Sequence, residues 1–258
     1  MILGIDIGNT HITFGCIENN EVIKPILRIP TDRKDTEFGY AVKIKEILKL
    51  VNFDIKKIES SIISSVVPSV TEMMKRAVKI ISDKDAIIVG PGIKTGIKIA
   101  IDDPGTVAAD LIATAVGSAN NYELPCAIVD MGTATTVTFI NEKKEFKGGA
   151  IYPGVNTALN ALTSKTSLLP GIEIKAPSKA IGSNTVECMK SGIIYGTAGA
   201  VDGILDSFEK EYGKIKSIIC TGGVGHLLNG YFRHKIIMDE DLLLKGLAII
   251  SKKNNKEM

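Results

Sequence analysis

Histidine and cysteine are scarce in this chain of 258 residues, and neither is arranged for metal or redox chemistry. The four cysteines, Cys16, Cys126, Cys188 and Cys220, form no CxxC pair, and no histidine stands at ligand spacing from any of them. Cys16, Cys126 and Cys220 fall in apolar, strand-like runs, which reads as small buried thiols in a reducing compartment. His11, His226 and His234 are too scattered for a triad or a metal site. His11 belongs to a turn described below; the other two read as surface or loop residues. An excess of charge is missing as well. Thirty-one Lys and Arg against 29 Asp and Glu leave a net +2, which gives no reason to expect nucleic acid or an anionic membrane as partner. No run approaches the ~20 apolar residues of a membrane span. The opening Met1-Ile2-Leu3-Gly4-Ile5-Asp6 shows no basic leader and no cleavage site, so a soluble, cytoplasmic protein is expected.

Two nucleotide-binding signatures are also lacking. Gly90-Pro91-Gly92-Ile93-Lys94-Thr95-Gly96 has the wrong glycine-to-lysine spacing for a P-loop, and no GxGxxG follows a strand to open a helix. What is present is a globular composition, 45% hydrophobic, long enough for one large domain or two modest ones.

The patterning predicts an α/β chain. Residues 2–7, 12–16 and 21–29 read as a three-stranded meander with a turn at Asn19-Asn20. Phe38, Val42, Ile44, Ile47, Leu48 and Val51 have helical spacing over 36–51. A strand over 60–67 is closed by Pro68, and Ser69 with Glu72 suits a capping box for a helix to about Ile81. A strand over 86–89 ends at Gly90-Pro91-Gly92, and Asp103-Pro104-Gly105-Thr106 starts a helix reaching about Asn120. The order then recurs: strands at 127–131, 135–141 and 145–151, helices near 154–164 and 185–212, a strand at 218–220, a short helix, a strand near 235–238 and a helix from Asp241. Asp6-Ile7-Gly8-Asn9-Thr10 and Asp130-Met131-Gly132-Thr133-Ala134 open the two halves at the same kind of turn, and Gly90-Pro91-Gly92 is matched with Gly222-Gly223. Two tandem domains follow, 1–120 and 121–258, the last helix being free to return to the first.

An aspartate at a strand end followed by glycine and Asn or Thr suits phosphate. Glycine lets backbone N–H groups approach phosphate oxygens, and the carboxylate can hold a hydrated Mg²⁺ bridging the β- and γ-phosphates. Two such turns facing each other across a cleft would grip a triphosphate. The alternative for Asp6 is a turn aspartate bonded to local N–H groups. A carboxylate flanked by Ile5 and Ile7 in a buried strand is costly unless paired or bound to a cation, which favours function. Thr221-Gly222-Gly223 allows a purine or ribose to approach bare backbone, or is a plain strand-to-helix turn. Asp110 is the only charged residue between Asp103 and Glu123. It is either a residue without a role or a general base beside an acceptor hydroxyl.

With these residues in hand, the chain resembles type III pantothenate kinase, of the actin, Hsp70 and sugar-kinase superfamily. The resemblance runs through Asp6 to His11, through Asp130-Met131-Gly132-Thr133-Ala134-Thr135-Thr136, Gly148 to Gly154, Leu168-Leu169-Pro170, Ile181 to Thr185 with Ser191-Gly192, Thr221-Gly222-Gly223, and Asp241-Leu242 with Leu244 to Leu247. It implies two ribonuclease H-like (actin-like ATPase) domains with an interdomain cleft, and ATP-dependent phosphorylation of pantothenate, the first step of coenzyme A biosynthesis. Asp6, Ile7, Gly8, Asn9, Thr10, His11, Ile12 and Thr13 would surround the ATP phosphates, with Thr133 opposite and Gly222 and Gly223 at the nucleotide. Mg²⁺ would accompany ATP near Asp6, and Asp130 would ligand K⁺ or NH₄⁺. Asp110 would be the catalytic base, Ala108, Ala109, Asp110, Leu111 and Thr185 would bind substrate, and the protein would be a homodimer. Where the family usually shows Gly-Ala-Asp-Arg, this chain reads Ala108-Ala109-Asp110-Leu111. Ile101 stands in the stretch where a tyrosine is usual. Those departures leave two other readings: a kinase of this fold for another hydroxyl acceptor, or a non-catalytic nucleotide-binding regulator.

Overall fold

The computed structural model describes residues 1–19 and 21–255. In chain order the elements are β1 (Ile2–Ile7), β2 (His11–Glu18), β3 (Glu21–Pro30), α1 (Glu37–Leu50), β4 (Ser60–Ser65), α2 (Pro68–Ser82), β5 (Ala86–Ile88), β6 (Lys98–Ile99) and α3 (Ala109–Asn121). There follow β7 (Cys126–Met131), β8 (Ala134–Ile140), β9 (Glu145–Pro153), α4 (Val155–Lys165), α5 (Thr185–Tyr212), β10 (Ser217–Thr221), α6 (Gly225–Leu228), β11 (Ile237–Met238) and α7 (Leu242–Asn254). Two compact units result. The first holds Met1–Lys98, Asp102–Asn121 and the chain from Asp241 onward; the second holds Ile99–Ile101 and Tyr122–Glu240.

Both units carry one topology. The first sheet runs β3-β2-β1-β4-β5, and the second, β11-β10-β7-β8-β9-β6, repeats that order as β9-β8-β7-β10-β11 and adds β6 at its edge. In each, the first strand is antiparallel to the second and parallel to the fourth. A strand in that central place is covered on both faces, which is why β1 and β7 are near-continuous apolar runs interrupted only by their aspartates. Leu3, Ile5, Ile7, Phe14, Ile44 and Met74 build one core; Val129, Met131, Val137, Ile194, Val201 and Leu205 build the other.

Four expectations are corrected. The Gly90-Pro91-Gly92 turn follows the fifth strand of its sheet, whereas Gly222-Gly223 follows β10, the fourth. The counterpart of Gly222-Gly223 is therefore the turn after β4, at Val66-Val67. Helix α2 starts at Pro68 with Val67 as its N-cap and no side-chain cap bond. Pro68 occupies the first helical position, where its missing N–H is no loss, so Ser69 lies inside the helix and the expected capping box does not form. In α1 the buried stripe is Tyr40, Ala41, Ile44 and Leu48, leaving Phe38 66% and Val42 62% exposed. Val42 lies about 200° around the helix from Ile44, so the two cannot share a face. Finally, Pro104–Thr106 is a separate 3₁₀ turn, and α3 begins only at Ala109. Of the expected Asn19-Asn20 turn, Asn19 has φ 51° and Asn20 lies outside the described residues.

Helices α3 and α7 cross within the first unit at two glycines. A Cβ on Gly246 would lie 1.8 Å from the Ala113 carbonyl oxygen, and one on Gly117 2.4 Å from that of Leu242. Backbone cannot yield as a flexible side chain can. Gly246→Ala is therefore expected to lower the stability of the full chain by about 1–3 kcal/mol in urea unfolding. Gly230→Ala, where an added Cβ meets nothing within 4 Å, should be close to neutral.

Candidate active site

Asp6, the last residue but one of strand β1, pairs in register with Thr13 on β2 and Ser64 on β4. Side chains of register partners share a sheet face, so the half-buried Asp6 carboxylate has two hydroxyl side chains as neighbours. The turn of residues 8–11 is closed by the Gly8 N–H donating to the His11 carbonyl at 3.0 Å. That N–H is thus engaged within the turn. The glycine serves by close approach, since a Cβ there would lie 3.1 Å from the same oxygen. The carbonyls of the turn are engaged from outside: Thr31 donates its hydroxyl to the Gly8 oxygen at 2.7 Å and its N–H to the Thr10 oxygen at 3.0 Å.

The second unit repeats the device with other residues. Asp130 pairs in register with Thr136 on β8 and Thr221 on β10. Gly132 N–H donates to the Ala134 carbonyl at 3.1 Å, and the Thr133 carbonyl accepts from the Thr157 hydroxyl at 2.7 Å and the Gly154 N–H at 3.1 Å. Gly154 is compulsory: a Cβ there would lie 2.2 Å from the Gly132 oxygen. Gly222, with φ 94°, brings the turn after β10 against Met131, where a Cβ would lie 2.6 Å from the Met131 oxygen. Gly222 and the Asp130 turn are thus neighbours within this unit. Thr185 opens α5, whose N-cap Asn184 accepts from the Glu187 N–H at 3.0 Å.

Asp110 occupies the first turn of α3, between Ala109 and Leu111. Residues 112–119 of this helix are all buried, and Asp110 is its one charged residue. Burial pushes the Asp110 carboxyl above the usual carboxylate range, only partly countered by the N–H groups of Leu111, at 2.8 Å, and of Asp110 itself. Among the described residues no Lys or Arg pairs with it. A desolvated carboxylate without a cation is a better proton acceptor than one in water. Ile101 is counted with the second unit, 3.5 Å from where a Cβ on Gly148 would lie.

Burial also pushes the thiols of Cys16 up to about 11 and of Cys126 and Cys220 up to about 12, so all three are inert at neutral pH. Cys188 is exposed. His226 is exposed against Glu240, while His234 is tied by Nδ1 to buried Asp202 at 2.9 Å. No group of His, Cys, Asp and Glu among the described residues could hold a metal ion unaided. Thr31 and Thr157 were not marked by the sequence pattern. A signal does exist: the third strand of each half ends in proline, Pro30 and Pro153, and the latching threonine follows within a few residues.

The two duplicated sheets give the chain the actin-like fold of two ribonuclease H-like domains, and each carries an aspartate near the end of its first strand. The activator of 2-hydroxyisocaproyl-CoA dehydratase from Clostridium difficile, solved with bound ADPNP, matches with a TM-score of 0.56 at 12% identity, over 100% of this chain and 97% of that one. A Campylobacter jejuni structure described as a Baf family transcriptional activator matches with a TM-score of 0.61 at 20% identity, over 98% of this chain and 99% of that one. Both speak to the fold alone. In sequence, a family model for type III pantothenate kinase matches residues 2–207. A type III pantothenate kinase of Brevibacillus brevis is 37% identical over 254 residues, 98% of this chain and 99% of that protein. The chain belongs to the type III pantothenate kinase family. It is a small-molecule kinase of coenzyme A biosynthesis, taking ATP with a divalent metal and pantothenate as substrates.

A carboxyl whose pKa is raised by folding binds more protons in the folded than in the unfolded state between the two pKa values. Stability then falls as pH rises through that window. Asp110→Asn should therefore raise the melting temperature at pH 7, and the gain should shrink as pH drops toward the ordinary carboxylate range near ~4. Thermal unfolding of both proteins at several pH values checks this; an Asn variant less stable than wild type at pH 7 would contradict it.

Proposed function

We propose the following division of labour for the phosphorylation of pantothenate to 4′-phosphopantothenate. Residues 6–13, Asp6 to Thr13, surround the ATP phosphates, Thr133 serves the same group, and Gly222 and Gly223 offer bare backbone to the purine or ribose. Ala108, Ala109, Asp110, Leu111 and Thr185 receive pantothenate. Asp110 takes the proton of the acceptor hydroxyl as its oxygen bonds to the γ-phosphorus. The bond from that phosphorus to the β,γ-bridging oxygen breaks, and ADP leaves with the electron pair. The observation that carries this reading is the Asp110 carboxyl in the first turn of the buried helix α3, desolvated and with no Lys or Arg partner among the described residues.

The cations of the proposal are Mg²⁺ near Asp6 and K⁺ or NH₄⁺ at Asp130. The residues present suit them. Ser64, in register with Asp6, and Thr136, in register with Asp130, each bury a hydroxyl oxygen that has no hydrogen-bond partner. A carboxylate with neutral oxygens is a donor set for hard cations. Such ions, when bound, neutralise charge on the phosphates. A cytoplasmic location accords with the free buried thiols. No helix among the described residues is long and apolar enough to cross a membrane.

The test is release of ADP from ATP with pantothenate, Mg²⁺ and K⁺ present, then with each omitted, and with other small alcohols in place of pantothenate. Turnover should require all components, and pantothenate should be the best acceptor. Leu111, uncharged where the family usually has arginine, and Ile101, in the stretch where a tyrosine is usual, favour another acceptor, and a better alcohol in this series would establish that reading. Asp110→Asn should lose about two to four orders of magnitude in kcat while ATP still binds. A fully active variant would remove Asp110 as base.

A homodimer is proposed through the second unit. Helix α5 exposes Gly192, Gly196, Gly199 and Gly203, and a Cβ on any of them meets nothing within 4 Å. Beside them lies an apolar groove of about 610 Å³, lined by Tyr152, Ile204 and Phe208 among others, with Ile151 71% exposed at its edge. Bare helix backbone with apolar neighbours is suited to close packing against a second copy. Sedimentation should show a dimer, weakened by Ile151→Glu; a monomer in the wild type would dismiss it.

A further inference from the structure

We propose that Arg33 is an additional phosphate-binding residue for the nucleotide, seated on Asn9 at the first turn; this rests on the reading that residues 6–13 take the ATP phosphates. The segment leaving β3 is held by four hydrogen bonds, two at Thr31 and two at Asp32. Thr31 is bonded through both its hydroxyl and its N–H to the carbonyls of Gly8 and Thr10. The hydroxyl of Tyr40, a fully buried residue of α1, donates to the Asp32 carbonyl at 2.6 Å and accepts the Asp32 N–H at 3.0 Å. With Thr31 and Asp32 so held, the next residue extends its guanidinium to the Asn9 Oδ1 at 3.0 Å.

The kind of partner is what points to a ligand. Arg76 and Arg233 are paired with carboxylates, Glu37 at 3.8 Å and Asp206 at 2.8 Å. Among the described residues Arg33 has none. An amide oxygen orients a guanidinium without neutralising it, and only one of five N–H donors is used. The Asn9 N–H likewise has no protein acceptor among the described residues, so a backbone donor and an uncompensated cation lie on one residue of the phosphate turn. Phosphate oxygens, which take guanidinium donors in pairs, match that arrangement. The side chain is exposed, so the charge carries no desolvation cost before the nucleotide arrives.

The experiment titrates the full-length wild type, Arg33→Gln, Arg33→Lys and Gly8→Val with ATP, ADP and AMP, and measures steady-state constants for both substrates. Arg33→Gln is expected to weaken ATP binding about ten-fold or more, ADP less and AMP not at all. Arg33→Lys should recover only part of the loss, and KM for pantothenate should stay within about two-fold. Equal losses with all three nucleotides would mean a general structural role and overturn the assignment. Unchanged ATP affinity in Arg33→Gln, with affinity lost in Gly8→Val, would overturn Arg33 alone. Unchanged affinity in both would overturn the phosphate-turn reading along with it.

Discussion

A turn that presents peptide N–H groups to an anion also carries carbonyl oxygens, and these must be engaged elsewhere or they repel the same anion. In both units the carbonyls of the Asp-X-Gly turn are engaged from outside it, as the proposed phosphate-binding role would require. Thr31 takes the Gly8 and Thr10 carbonyls, and Thr157 with the Gly154 N–H takes that of Thr133. Each glycine uses its own N–H to close the hairpin, Gly8 to His11 and Gly132 to Ala134. Turn shape therefore depends on where the third strand of each sheet releases the chain. In the first unit that point is fixed by the Tyr40 hydroxyl, itself set by the packing of α1.

The two units share strand order but not residues. The first hairpin spans residues 8–11 between register partners Ile7 and Ile12; the second spans 132–134 between Met131 and Thr135, one residue shorter. One latch comes from a loop, the other from the first turn of α4. What the duplication preserves is the position of a carboxylate at the end of a central strand, flanked by hydroxyl residues on both neighbouring strands: Thr13 and Ser64 for Asp6, Thr136 and Thr221 for Asp130.

This explains which parts of the protein were legible in the sequence. The Asp-X-Gly turns, the meanders and the long helix over 185–212 are local, and their signals lie within a few residues of the feature. The latches are not local: Thr31 and Gly8 are 23 residues apart, Thr157 and Thr133 24. Nothing in either neighbourhood specifies the pairing. The mismatch of Gly90-Pro91-Gly92 with Gly222-Gly223 has a related origin, because sequence displays strands in order of synthesis, whereas equivalence follows order in the sheet. The Ser69 cap failed for a local reason, as Pro68 pre-sets the first helical turn and places the cap at Val67, two residues upstream. Asp110 lay between these extremes. Its isolation was visible in the sequence, but its desolvation arises from packing.

That packing joins stability to chemistry in the first unit. Gly117 and Gly246 allow α3 and α7 to approach until backbone meets backbone, which buries α3 from Ile112 to Ala119. A helix so covered supplies little water to a carboxylate in its first turn, and the Asp110 carboxyl is raised as a consequence. Folding thus works against the charged form that proton acceptance requires. A surface aspartate at the same place would cost the fold less and would also be a weaker base. A compensating lysine or arginine beside Asp110 would restore stability while lowering its basicity, so the lack of a cationic partner among the described residues is what the proposed role as base would require.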